Sequence, residues 1–546
     1  MRRRDAILLL LPAGLLIGVM FLLPFGMVLL TSFWSQKPGS WIVDDSFTLV
    51  NYRRLLNDPY FAEVVWRTLR ISATATLLCL AIGFPLARWI AGSSGQQRGL
   101  LIVLMLLPLV CGALVQTLGL VNLLSLSGVV SGGLRATGLV GHSVHLLGNE
   151  WGVLIGLVQA FLPLMVLPLV ALLGRIPPDL EQAAATLGAA RLRVIQRVVV
   201  PLAAPGIVAG SLLVFAACLT SFVTPQILGQ GHVQIFGPLV YQQAALVLDW
   251  AVRLGAGGTD AALPGGSGAA DRARCSPRRQ PAGSRMSQPS RLLSVFGIVT
   301  VALMLSPVVV LVFSSFNPTS YFRFPPTGYS LRWYVAAWHS AEYRDALRVS
   351  LIVAATATAL ALPCGSLAAF ALVRSSLPGR RVIEAILLAP LALPLIVWAI
   401  ALLQIYARIG LSGTWLGLIL AHTVIVLPFP VRIMVANFQR VDPLLEQAAA
   451  TLGSTPLRAF RRVSLPLALP GLLTSAAFAF LISFNDVVVS SFIAGARTMT
   501  FQVRLYSQLR SEGIDPITVA IGAVIAGLIV VSAVVCERLF HWSRHV

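Results

Sequence analysis

The stretch Ala6–Leu30, AILLLLPAGLLIGVMFLLPFGMVLL, carries no charged side chain over a length that can cross a bilayer. The hydrocarbon core is about 30 Å thick, so a spanning helix needs about 20 apolar residues. Every backbone amide and carbonyl in hydrocarbon must be satisfied by the chain itself, which leaves helices and closed barrels as the only spanning structures. Long unbroken apolar runs, rather than short alternating ones, select helices. Similar runs recur near 68–91, 99–124, 151–173 and 201–228, then near 293–315, 347–373, 383–407, 413–436, 465–490 and 516–537. The expected fold is an all-α polytopic membrane protein. The opening MRRRD invites comparison with a signal peptide, but the apolar run is too long, lacks a small-residue cleavage pattern and is followed by further spans.

Charged residues make up 11% of the chain, against about 25% in soluble domains. The formal charge of +20 points away from nucleic acid, because the arginines cluster at span ends and no aromatic-basic binding motif accompanies them. Such clustering is what the positive-inside rule produces. It places the N-terminus, the loop with Arg98, and the loop with Arg175, Arg191, Arg193 and Arg197 in the cytoplasm. Arg374, Arg380 and Arg381, then Arg440, Arg458, Arg461 and Arg462, mark two more inner loops. The six cysteines show no metal-ligand or CxxC spacing, and a free thiol in a span packs as a small hydrophobe.

An internal repeat organises the chain. EQAAATLGAARLRVIQRVVVPLAAPGI begins at Glu181, and EQAAATLGSTPLRAFRRVSLPLALPGL begins at Glu446. A weaker echo pairs Leu69-Arg70-Ile71-Ser72 with Leu347-Arg348-Val349-Ser350. Two tandem homologous units follow, over 1–252 and 291–546, joined by a Gly/Pro/Arg-rich stretch at 253–290. Each unit is expected to hold about six transmembrane helices, with its repeated loop near 178–200 or 443–465. Both units take the same orientation, so both loops face the cytoplasm. The loops are amphipathic, with acids near the helix start, arginines near the end, and small residues that permit close approach. An interfacial helix on the membrane surface has this character too. Repetition on one face favours docking sites for two equivalent partner subunits.

The repeated loop resembles the EAA motif of inner-membrane permeases of type I ABC importers. Gln182-Ala183-Ala184, Gly188, Val198 and Val200-Pro201 fall on its pattern, as do Gln447-Ala448-Ala449, Gly453, Val463 and Leu465-Pro466. Gln stands where the motif has Glu, and Glu181 and Glu446 lie one residue earlier. The resemblance covers nearly the whole chain apart from about 253–290. It implies coupling loops, carried by Glu181, Gln182, Ala183, Ala184 and Gly188 and by Glu446, Gln447, Ala448, Ala449 and Gly453. Two copies of a cytoplasmic ABC ATPase would dock there, and an extracytoplasmic binding protein would deliver substrate. The chain has no Walker A sequence, so the resemblance implies a conduit rather than an enzyme. No cofactor is expected in the chain itself, with ATP and Mg bound by the partner ATPase. The expected location is the bacterial inner membrane, multi-pass, with the N-terminus cytoplasmic.

Polar groups inside spans are costly and often line a pathway. Asn485 and Asp486 lie toward the outer end of the fifth span of the second unit, with Thr220 and Ser221 as their equivalents. An acid facing the pathway suits a cationic substrate; a solvated aspartate at a helix end is the plainer account. TSFVTPQILGQG and SFNDVVVSSFIAGARTMTFQVRLYSQL resemble the paired permeases of spermidine/putrescine-type importers, which implies polyamine or a related small organic cation. Iron(III) and thiamine importers share the architecture and stand as alternatives. A secondary transporter would carry repeats that are commonly inverted, whereas these are parallel.

Only five spans are evident in the first unit, and the sixth should begin just after Asp249, the counterpart of Asp515. Arg253, Asp260, Asp271 and Arg272 follow instead, each costing about 2.5–3.5 kcal/mol at the centre of a spanning helix. Met286 then opens MSQPSRLLSVFGIVTVALML, which reads as a fresh N-terminus. Two accounts fit: a frame change near Val252 joining two adjacent permease genes, or an evolved fusion linker with 234–252 serving as a weak sixth span. Lys37 is the single lysine among 40 basic residues, a bias of GC-rich genes, whose alternative frames contain few stop codons. DNA sequencing across codon 252 separates the two. A one- or two-base shift that restores an apolar run supports the frame change, and its absence removes it.

Overall fold

The structure is a computed structural model and describes residues 3–36, 43–126, 128–136, 145–243, 290–319, 328–391, 393–511 and 515–540. The stretch 253–289 and the expected sixth span after Asp249 lie outside the described residues. Among the described residues, eight helices are long and apolar enough to cross a bilayer: Arg3–Thr31, Pro59–Ala91, Ala113–Gly133, Glu150–Leu173, Arg191–Thr220, Arg291–Ser314, Ala341–Arg374 and Trp415–Arg440. The loop after the opening helix adds a short antiparallel ribbon, β1 (Trp34–Gln36) against β2 (Val43–Phe47), with a register shift between Trp34 and Ser35. The other regular elements among the described residues are helices.

Four of the expected spans are not single straight helices. The run near 99–124 is two helices, Gly95–Cys111 and Ala113–Leu124, parted at Gly112. The run near 383–407 is Arg380–Leu391 followed by Leu395–Ile409, bent by 91°. At the second break Pro394 is extended, with ψ of 115°, and starts the helix Leu395–Ile409; a proline disfavours helix in the residue before it. The runs near 201–228 and 465–490 stop early, at Thr220 and Phe484, and resume as the short helices Val223–Leu228 and Val488–Ile493. The second of these also bends by 66° at its start, between Phe460–Leu467 and Leu469–Phe484.

The described residues pack as two compact units that cut across the linear repeats. Met1–Asp58 belongs with Tyr334–Thr518, while Pro59–Leu239 belongs with the Arg291–Ser314 helix and the chain from Val519. In the first of these, Ala13, Ile17 and Phe21 share one core with Trp398, Tyr406, Leu418 and Phe438. Phe21 also packs on Trp398, ring centroids 6.0 Å apart. The indole of Trp398 donates to the carbonyl of Met20 at 3.0 Å. Pro24, four residues on, has no amide to offer that carbonyl, and here the chain winds as a π-helical turn over Gly18–Leu22. In the other unit, Gln159 Nε2 donates to the carbonyl of Met304 on the Arg291–Ser314 helix at 3.1 Å.

Within each unit the long helix, Pro59–Ala91 or Ala341–Arg374, meets the helix preceding the repeated loop at a glycine. A Cβ on Gly83 would lie 3.0 Å from Met165 Cγ, and one on Gly365 would lie 2.7 Å from Pro430 Cβ and 3.1 Å from Val431 N. Small residues at such crossings let backbones approach, which is how membrane helices gain packing energy without a hydrophobic drive. Gly365→Ala is expected to lower stability by about 1–3 kcal/mol through overpacking, read as a lower thermal midpoint in detergent. Gly14→Ala, where a Cβ meets nothing within 4 Å, should leave the midpoint unchanged or raised.

Candidate functional site

The two repeated loops fold alike from local sequence. Each begins with proline at the first helical position, Pro178 or Pro443, and runs as a helix to Thr186 or Thr451. Proline is pre-set for that position, and the alanines that follow have the best intrinsic helix propensity. Asp442 also caps the second helix, its Oδ1 accepting from Leu444 N at 2.9 Å. Both helices stop in the same way. Gly188 and Gly453 take φ of +81° and +82°. Ala189 N donates to Ala184 O at 3.1 Å and Gly188 N to Ala185 O at 2.9 Å; Ser454 N and Gly453 N repeat the pattern on Ala449 O and Ala450 O, both at 3.0 Å. This is a Schellman cap, which needs a left-handed residue at the glycine position. The chain then re-enters helix through π-turns at Ile195–Val199 and Phe460–Ser464, just before Pro201 and Pro466 interrupt the amide ladder.

Neither loop helix has a buried residue. Gln182, Ala183, Gln447 and Ala448 are exposed, and Ala184 and Ala449 are half-buried. Leu187 and Leu452, the residues before the two glycines, are 87% and 89% exposed, the highest values among the described large hydrophobic residues. Glu181 and Glu446 instead turn inward. Arg88 Nη2 meets Glu181 Oε2 at 2.7 Å, and Arg374 Nε meets Glu446 Oε1 at 2.9 Å. Glu446 also accepts from Ser464 Oγ at 2.8 Å, and Arg374 Nη2 donates to Val441 O at 2.8 Å. Behind each loop helix lies a cleft, about 620 Å³ beside Arg88 and Glu181 and about 1090 Å³ beside Arg374 and Glu446. The first is walled in part by Leu292, Leu293 and Phe296, the second by Leu8 and Leu9.

The residues expected along a pathway all fall at the breaks after the fifth-span helices. Thr220 and Ser221 are half-buried where the first unit's helix ends, and Thr220 Oγ1 bonds back to Ala216 O at 3.1 Å. Asn485 Oδ1 accepts from Gln502 Nε2 at 3.2 Å. Asp486 is buried and caps the Val488–Ile493 helix, accepting from Ser490 N at 2.8 Å and Ser490 Oγ at 3.0 Å. His422, 1% exposed, ties the break together, with Nδ1 2.8 Å from Ser483 Oγ and Nε2 2.9 Å from Ser490 Oγ. The Asp486 carboxylate therefore already serves the fold, whatever else it contacts. Neither His422 nor Arg88 is among the residues that the sequence marks as functional. A lone arginine closing an apolar span was the available signal for Arg88; nothing in the local pattern pointed to His422.

The glycine caps can be tested directly. A Cβ at Gly188 or Gly453 meets no atom within 4 Å, so the cost of alanine comes from the left-handed backbone alone, about 1–2 kcal/mol. Gly188→Ala is expected to speed amide exchange at Ala189 about tenfold, and Gly453→Ala to do the same at Ser454. Unchanged exchange would show that the caps tolerate a side chain.

Residues 74–256 and 361–542 each match the family described as "Binding-protein-dependent transport system inner membrane component". The spermidine/putrescine transport system permease protein PotB of Escherichia coli (strain K12) is 34% identical over 228 residues, covering 42% of this chain and 82% of PotB. The corresponding PotC of Haemophilus influenzae is 29% identical over 254 residues, covering 46% of this chain and 98% of PotC. A bacterial ABC transporter involved in the import of the acidic polysaccharide alginate covers 46% of this chain at 18% identity with a TM-score of 0.36, too distant to bear on function. Two matches in tandem, spanning more than half of the sequence, settle the affiliation: the chain belongs to the binding-protein-dependent inner-membrane permease family and carries two of its units.

Proposed function

We propose that this permease forms the substrate path of an ABC importer for a polyamine or a related small organic cation. Two copies of a cytoplasmic ATPase engage the loops at Glu181–Gly188 and Glu446–Gly453, one at each loop. ATP and Mg are held by those subunits, and this chain contributes the conduit rather than the hydrolysis. An extracytoplasmic binding protein delivers substrate on the opposite face, and the N-terminus lies on the cytoplasmic side with the arginine-rich loops. The observation that carries the coupling reading is the duplicated loop helix with no buried residue and a leucine almost fully exposed beside its glycine cap. A short helix presenting an apolar anchor suits a groove on a partner. The substrate reading is supported by the names of PotB and PotC and by the acid Asp486 at the break of the second unit's fifth span. That carboxylate sets a negative charge near the path while its hydrogen bonds hold the short helix in place.

Leu187→Asp combined with Leu452→Asp tests the coupling reading. The double variant should still insert in the membrane, but should lose the co-purifying ATPase subunit and ATP-driven uptake of labelled spermidine. Retention of both would overturn it.

A further inference from the structure

The contacts between Glu181 and Arg88 and between Glu446 and Arg374 look like one inherited feature, but they are not. The close crossings fix the register of the long helices: Gly83 faces Met165 and Val166, and Gly365 faces Pro430 and Val431. Those facing pairs are separated by the same interval as Glu181 and Glu446, so Gly83 and Gly365 occupy the same place in the two repeats. Thr68 and Ser350, whose hydroxyls accept from Phe236 N and Phe501 N, match in the same register, which corrects by four residues the pairing of Leu69–Ser72 with Leu347–Ser350 suggested by the sequence echo. Arg88 follows its glycine by five residues and Arg374 follows its own by nine. The place of Arg88 is taken in the second repeat by Phe370, which stacks edge-on against Phe460 with centroids 4.7 Å apart. The place of Arg374 is taken in the first by Gly92. Arginines one helical turn apart thus reach the same carboxylate. The contact is common to both repeats although the residue supplying it is not.

Among the described residues, Glu181 and Glu446 are the only side chains of the two loop helices that hydrogen-bond to another element. Both pairs are largely shielded, with side-chain exposures of 18% and 15% for the first and 10% and 19% for the second. A shielded pair is screened less than a surface one, and removing one partner strands a charge. Each arginine lies at or near the end of a helix of 33 or 34 residues, about 50 Å long at 1.5 Å per residue.

We propose that the Arg88–Glu181 and Arg374–Glu446 pairs are struts through which displacement of a loop helix is delivered to the end of the long helix, making these four side chains positioning residues for transport. The inference rests on the coupling reading above. It assigns the glutamates to the permease side of the loop, while the exposed leucines face the ATPase.

The test uses the whole chain assembled with its ATPase and binding protein in liposomes, with uptake of labelled spermidine and ATP hydrolysis measured together. The first-unit pair is the simpler one to exchange, because Val199 stands where Ser464 stands in the second. Glu181→Gln and Arg88→Gln should each lower spermidine transported per ATP at least fivefold while the ATPase subunit remains bound. The exchange Arg88→Glu with Glu181→Arg should recover at least half of the wild-type ratio. An exchange variant no better than the single variants would overturn the strut, as would single variants that lose ATPase in step with uptake. Leu187→Asp with Leu452→Asp runs alongside. If it keeps the ATPase, the coupling reading itself fails. If it loses the ATPase while Glu181→Gln transports normally, the strut alone fails.

Discussion

A peptide group in hydrocarbon has no water to bond, so every irregular turn in this chain must be answered by a group from elsewhere in the protein. Trp398 bonds the Met20 carbonyl where Pro24 cannot. Asp486 and His422 hold the break after Phe484 by bonding to Ser490 and Ser483. The exposed loops escape this constraint, and there the chain uses an ordinary glycine cap.

The second governing feature is that a spanning helix need not pack with its neighbours in sequence. The opening helix lodges its Ala13, Ile17 and Phe21 in a core built from the second repeat, and Arg291–Ser314 packs within the unit built from the first. Close backbone crossings at Gly83 and Gly365 then define where the long helices meet the helices that lead into the loops.

Much of the loops was legible because the physics is local. Proline at the first position, a run of alanines and a glycine at the cap specify a short helix with a defined stop, and identical sequence produced the same left-handed turn and the same hydrogen-bond pattern at Gly188 and Gly453. The spans were legible as apolar runs but not as shapes. The run through Pro390 and Pro394 has enough apolar residues to cross a bilayer straight, yet it bends by 91°, with Pro394 extended at the bend. Asp486 was visible as a charge in an apolar setting, but its bonds are to Ser490 beyond the break, whose hydroxyl also meets His422 from another helix.

The sequence by itself determined that the chain spans a membrane, that it is duplicated, and where the two loop helices begin and end. Those properties depend on hydrophobic length, on identity between two stretches, and on residue-level backbone preferences, all of which are local. Tertiary structure alone decided which repeat receives the opening helix, that His422 closes the break at Asp486, and that Arg88 and Arg374 reach equivalent glutamates from different turns. Each of these joins groups tens to hundreds of residues apart. The helix crossings, rather than any local pattern, bring such groups within bonding distance.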